Sequence, residues 1–287
     1  MRRVLQTLGA VIFAASSVFV SEGFAADERI ERGNYLLQIA GCVTCHSAEG
    51  GAPLAGGHAF KTAFGTFYSP NITADAEHGI GAWSEAQFVR ALKYGRAPDG
   101  RAYAPVFPYT SYQAITDEDA KAMFAALQAK PAVAQANRAH ETVWWLADWM
   151  FAPWQWLFMP EASDWQAQPS DELQRGRYLV DVLGHCGECH TSRQPWGAVR
   201  AERALAGAAE GPDGKSVPNI TPHREHGIGK WRARDLAWFL QTGEYPDGDY
   251  VGGAMTPVVD HATSKLTPQD RQAMVADLLA RTPLADE

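Results

Sequence analysis

The sequence predicts a mostly α-helical protein made of two tandem modules joined by a tryptophan-rich strap. Three observations carry that expectation. The chain repeats itself at long range, each copy shows helical spacing behind helix caps, and six of the ten tryptophans fall between the copies. A chain of 287 residues has room for two small domains. Its 46% hydrophobic and 20% charged content is an ordinary globular balance, which excludes a disordered tail or a fibre. The net charge of −8 repels phosphate backbones and argues against nucleic acid as a partner. One long apolar run, at the N-terminus, excludes a polytopic membrane protein.

Residues 1–25 read as an export signal. Arg2 and Arg3 precede an uncharged run from Val4 to Val20, and Gly23 and Ala25 fit the cleavage pattern. The expected location is therefore the bacterial periplasm. An uncleaved anchor is the alternative.

The first module is placed at 26–131 and the second at 171–287. Arg32-Gly33-Asn34-Tyr35-Leu36 returns as Arg175-Gly176-Arg177-Tyr178-Leu179. Cys42-Val43-Thr44-Cys45-His46 returns as Cys186-Gly187-Glu188-Cys189-His190. Residues 71–83 return as 219–231, with nine of thirteen positions identical. The offset is 144 at the cysteines and 148 over this second stretch, so the second copy carries four extra residues between them. Each copy should hold three helices. The first runs through Arg32 or Arg175 into the cysteines. The second starts at Ser84, with Gln87 completing a capping box and Phe88 and Leu92 on one face. The third starts at Thr116 or Thr267, with Pro268 in the first helical position of the latter. Glycine and proline make 47–58 and 205–218 loops. Modules of about 100 residues with so little apolar sequence need a large prosthetic group to complete their cores.

The strap, 132–170, holds Trp144, Trp145, Trp149, Trp154, Trp156 and Trp165. Packing against both modules is the preferred reading, because no basic face accompanies the tryptophans. Peripheral membrane association or partner docking is the other.

Cys-x-x-Cys-His occurs twice, and its spacing has a direct chemical logic. Two thiols three positions apart reach the two vinyl groups of one haem, and the next His lies under the iron. Cys42, Cys45, Cys186 and Cys189 are then attachment points for two covalent haem c groups, with His46 and His190 as proximal ligands. A zinc ribbon would need the two pairs close together, yet 141 positions separate Cys45 from Cys186. A redox dithiol or structural disulfides would leave both histidines unexplained.

For the far side of the second iron, Met255 is the candidate. It follows Gly248 by seven residues, in a Gly-Gly-Ala-Met stretch that lets backbone approach a haem. The first copy has Phe107 in that register, and 36 residues separate Asn71 from Phe107 and Asn219 from Met255 alike. Phenylalanine has no lone pair to give iron. The first haem is then five-coordinate or ligated from elsewhere, and His58 leads the substitutes. His78 is weaker because His226 repeats it, and Met123 reads as core. Asn71 and Asn219 are expected to bond loop backbone or a haem propionate. Trp83 and Trp231 are expected to lie against the haem or donate to a propionate, with ordinary packing as the alternative.

These motifs resemble the cytochrome c subunits of periplasmic alcohol, gluconate and aldehyde dehydrogenases. The likeness is carried by Tyr68-Ser69-Pro70-Asn71-Ile72-Thr73, by Gly79-Ile80-Gly81 with Trp83, by Gly184 to Thr191, and by Gly248 to Met255. It implies two cytochrome c-like domains, His46 and His190 as proximal ligands and Met255 as a distal one. Those subunits commonly carry three haem motifs and a Met where this chain has Phe107. The function it implies is electron transfer, not catalysis. A periplasmic dehydrogenase would be the donor, and a soluble cytochrome or terminal oxidase the acceptor. The rival is a haem enzyme that uses an open first iron on peroxide, a sulfur oxyanion or a small gas, with the second haem as relay. A gas sensor is a third reading.

Overall fold

The computed structural model describes residues 26–160, 171–211 and 214–286. The expected export signal and residues 161–170 of the expected strap lie outside them. Among the described residues no helix is long and apolar enough to cross a membrane.

The elements recur in pairs. Helix α1 (26–39) is followed by the single turn α2 (Cys42–Cys45), and α3 (Glu85–Tyr94) and α5 (Asp117–Gln128) come later, with the short α4 (Tyr109–Tyr112) between them. In the second copy α7 (Glu172–Arg177), α8 (Gly187–His190), α9 (Ala233–Thr242), α10 (Met255–His261) and α11 (Pro268–Ala280) follow the same order. Between the copies lies α6 (Phe151–Phe158).

The caps form where the sequence puts them. Ser84 Oγ accepts from Gln87 N–H at 3.2 Å while Gln87 Oε1 accepts from Ser84 N–H at 2.8 Å. Thr116 and Thr267 accept from Asp119 and Asp270 N–H at 3.1 and 3.2 Å, opening α5 and α11. Each such cap is worth about 1 kcal/mol.

The expectation that the first helix runs into the cysteines is corrected. In the first copy α1 stops before Gly41, whose φ of 64° ends it and starts the cysteine turn afresh. In the second copy α7 widens into a π-helical stretch, Tyr178–Leu183, closed by Gly184 N–H donating to Leu179 O at 2.7 Å. This widening accounts for a change of register. Tyr35 and Tyr178 are 143 apart but Cys42 and Cys186 are 144 apart, and one added residue is what a π-bulge absorbs.

Helices α1 and α7 cross α5 and α11 at glycines. A Cβ on Gly33 would overlap the Ala122 carbonyl, and one on Gly176 the Ala273 carbonyl. The closeness lets Leu36, Leu127, Leu179 and Leu278 pack out of water, each worth about 2 kcal/mol. One continuous apolar core runs through both copies, from Leu36 and Met123 to Leu183 and Met274.

Polar ties cross between the copies reciprocally. Tyr35 Oη donates to Asp270 Oδ2 at 2.6 Å, and Tyr178 Oη donates to Asp119 Oδ2 at 2.7 Å. Each aspartate is also held within its own copy, Asp119 by Arg32 and Asp270 by Arg175. Glu188 accepts from Ser111 Oγ at 2.8 Å, and the His185 ring packs edge-on against Tyr112 with centroids 5.6 Å apart.

Residues 59–68 form an unexpected hairpin. Strand β1 (Ala59–Thr62) pairs with β2 (Gly65–Tyr68), and β3 (Glu141–Thr142) adds to its edge. Gly65, with φ 118°, makes the turn, and Phe67 packs with Phe151 and Ala104 in a second, small core. The strap is used unevenly. Gln155 Nε2 donates to Gly95 O at 2.9 Å and Trp154 Nε1 to Trp196 O at 2.8 Å, which link the strap to both copies. Trp144, Trp149 and Trp156 are instead 95, 72 and 84% exposed.

Candidate haem-attachment sites

Both histidines of the Cys-x-x-Cys-His motifs are held alike. His46 Nδ1–H donates to Pro70 O at 2.8 Å, and His190 Nδ1–H donates to Pro218 O at 2.7 Å. A carbonyl can only accept, so each ring keeps its proton on Nδ1 and leaves Nε2 with a free lone pair. Metal-bound histidines are oriented by such bonds. Burial lowers the pKa of both rings, against the pull of the carbonyls, and the neighbouring His58 lowers that of His46 further. Both imidazoles are thus neutral at neutral pH. Sequence reasoning passed over these prolines, although Pro70 and Pro218 stand directly before the repeated Asn-Ile-Thr.

The four cysteines form no disulfide. Burial pushes the thiols of Cys42 and Cys186 up to about 12 and that of Cys45 up to about 11. Thiols held neutral are poor redox nucleophiles. Among the described residues, no three His, Cys, Asp or Glu side chains converge on a point that could hold a metal ion. Zinc needs that convergence. A haem does not, because thioethers form at its edge while the imidazole meets its centre. The donor set therefore fits a covalent haem at each motif, with one-electron iron chemistry as what the group supplies.

Folding brings the two motifs toward each other: the ring Nε2 of His185, next to Cys186, lies 3.4 Å from the carbonyl of Ala40, two residues before Cys42. The Cys189 thiol raises the pKa of Cys45 electrostatically, next after burial. Glu188 lies inside the second motif, reaches Ser111 of the first copy, and is paired with Arg193 Nη2 at 2.6 Å.

The repeated asparagines act on backbone. Asn71 Oδ1 accepts from Thr73 N–H and Oγ1–H, and its Nδ2 donates to Val133 O and Gln135 O. Asn219 Oδ1 accepts from Thr221 in the same way, and its Nδ2 donates to Leu284 O and Asp286 Oδ1. Each amide is engaged within the protein, the first of its two expected roles, a bond to loop backbone. They pin the segment that follows each module's last helix. Trp83 and Trp231 sit half-buried at the core edge, each with its backbone N–H donating to the carbonyl three residues back, Ile80 or Ile228.

His58 lies beside the first motif, its ring edge-on to Phe60 with centroids 4.8 Å apart. Gly56 N–H donates to His46 O at 2.7 Å, and Ser69 N–H donates to His58 O at 3.0 Å, one residue before the Pro70 that holds His46. These bonds hold the backbone of His58 close to that of His46. Met255 opens α10, half-buried, after Gly253 with φ 65°. Phe107 is half-buried against the core, among the rings of Tyr103, Tyr109 and Tyr112.

Residues 30–129 match the family described as cytochrome c. The chain is similar to a protein described as diheme cytochrome c-type from Cereibacter sphaeroides, 38% identical over 260 residues, covering 88% of this chain and 85% of that one. It is 39% identical over 280 residues to the gluconate 2-dehydrogenase cytochrome c subunit of Pantoea cypripedii, covering 93% of this chain and 62% of that one. It is 36% identical over 254 residues to the fructose dehydrogenase cytochrome subunit of Gluconobacter japonicus, covering 87% and 52%. The chain thus spans between half and two thirds of the length of these dehydrogenase subunits. With both motif histidines held by carbonyls beside their thiol pairs, and with these likenesses, the chain belongs to the cytochrome c family, whose members carry covalently bound haem c.

Proposed function

We propose that the chain is a periplasmic electron carrier with two haem c groups, one on each of two tandem cytochrome c domains. Electrons enter from a periplasmic dehydrogenase and leave toward a soluble cytochrome or terminal oxidase. The observation that carries this reading is the repeated histidine–proline pair, His46 with Pro70 and His190 with Pro218, each beside its own thiol pair. The ring of His185 on the Ala40 carbonyl brings the two motifs together and supports transfer between the two groups, and Glu188 on Ser111 ties the first copy to the second motif. Relatives described as cytochrome subunits of gluconate and fructose dehydrogenases support a dehydrogenase as donor.

The test takes exported protein, counts haem per chain as the pyridine haemochrome, and then mixes it with each periplasmic dehydrogenase of its host plus substrate. Two haems per chain and rapid reduction by one dehydrogenase are expected. Failure with every candidate donor overturns the carrier role. A second reading, a haem enzyme acting at the first iron, is favoured by Phe107 and requires turnover with peroxide or a sulfur oxyanion.

A further inference from the structure

We propose that Phe107 leaves the first haem without a sixth protein ligand, making that face a binding site for a small neutral ligand such as carbon monoxide or nitric oxide. The inference rests on the haem reading above.

The register is fixed by backbone as well as by counting. Ala97 N–H donates to Arg101 O and Tyr103 N–H to Gly95 O. In the second copy Tyr245 N–H donates to Asp249 O and Val251 N–H to Gly243 O. These are the same bonds 148 residues apart. From the last bonded residue, Tyr103 or Val251, four steps lead to Phe107 or to Met255. No insertion separates the turn from the ligand position, so Phe107 holds the register of Met255.

The substitutes fail on position. Met123 is buried and corresponds to Met274, also buried on the equivalent helix of the copy that already has Met255. The repeat thus marks both as core. His78 corresponds to His226 by the same logic. The backbone of His58 is held close to that of His46.

The surroundings set the ligand class. The Phe107 ring packs against Tyr103 and Tyr112, each with centroids 6.0 Å away. Aromatic rings offer an anion no cation. A neutral diatomic that accepts electron density from ferrous iron needs none.

The experiment uses the full haem-loaded chain, with haem counted first. The dithionite-reduced spectrum is recorded before and after carbon monoxide. Half of the haem should shift in the wild type. Phe107→Met should abolish the shift, and Met255→Phe should extend it to all of the haem, so that either variant tests the site if the other does not fold. Two haems per chain with no shift overturns the proposal, because a protein ligand then holds the first iron. A half-shift that survives Phe107→Met also overturns it. Fewer than two haems per chain overturns the reading beneath it instead.

Discussion

Tyr178→Phe should destabilise the protein more than Tyr35→Phe, although the two hydroxyls occupy equivalent places. Tyr178 donates to Asp119 Oδ2, and Arg32 Nε binds the other oxygen, Oδ1, at 2.6 Å. The Asp119 side chain is 1% exposed, so removing the hydroxyl leaves a buried carboxylate oxygen that water cannot serve. A hydrogen bond to a charged group contributes about 1.5–3 kcal/mol, and an orphaned buried acceptor falls at the upper end of that range. Tyr35 donates to Asp270 Oδ2, which also accepts from Arg175 Nη2 at 2.7 Å. That oxygen keeps a partner when the Tyr35 hydroxyl goes, and the cost should be about 1 kcal/mol. Guanidinium unfolding of the haem-loaded chain, followed by far-ultraviolet ellipticity, reads both values if the m-value is unchanged. Equal losses, or a Tyr178→Phe loss below about 0.5 kcal/mol, would refute the claim that Asp119 depends on this cross-copy bond.

Gly176→Ala should cost about 1–3 kcal/mol, because its Cβ meets the Ala273 carbonyl across the helix crossing. A raised melting temperature, the usual result of Gly→Ala in an open helix, would show that the crossing has room. Burial works to raise the pKa of Asp270, but bonds from Arg175 and then Tyr35 outweigh it and hold the carboxyl below its ordinary value. The unfolded group titrates near about 3.9, so this stabilisation is complete above that pH and is lost as pH falls through the folded value. Asp270→Asn should therefore flatten the acid limb of stability against pH, and an unchanged limb would refute the assignment. Glu188→Gln removes a negative charge from inside the second motif, next to Cys189. It should raise the midpoint potential of that haem in a potentiometric titration, and a fall or no change would count against Glu188 as a tuning charge.

Local signals were legible in the sequence and long-range pairings were not. The cap at Ser84, the caps at Thr116 and Thr267 and the thiol spacing are written within four or five consecutive residues. The histidine–carbonyl bonds use backbone atoms, which any residue supplies, so composition is silent about them. Repetition of Pro70 as Pro218 was the available clue. The Tyr35–Asp270 and Tyr178–Asp119 bonds join residues 235 and 59 positions apart, and nothing local signals them. His58 shows a different limit. The sequence showed Phe107 in the register of Met255, but it could not place His58 beside His46 in space. The single residue added before Cys186 changed the spacing without revealing that a π-bulge would absorb it.

The exchanged tyrosine–aspartate bonds have a consequence for how the whole chain is built. When residue i of one unit touches residue j of the other, and j of the first touches i of the second, the contact is isologous, the hallmark of a twofold homodimer. Tyr35 with Asp270 and Tyr178 with Asp119 meet that description within one polypeptide. The protein is thus organised as a dimer whose protomers have been fused. Either half, made alone, would present the same tyrosine and aspartate to a copy of itself.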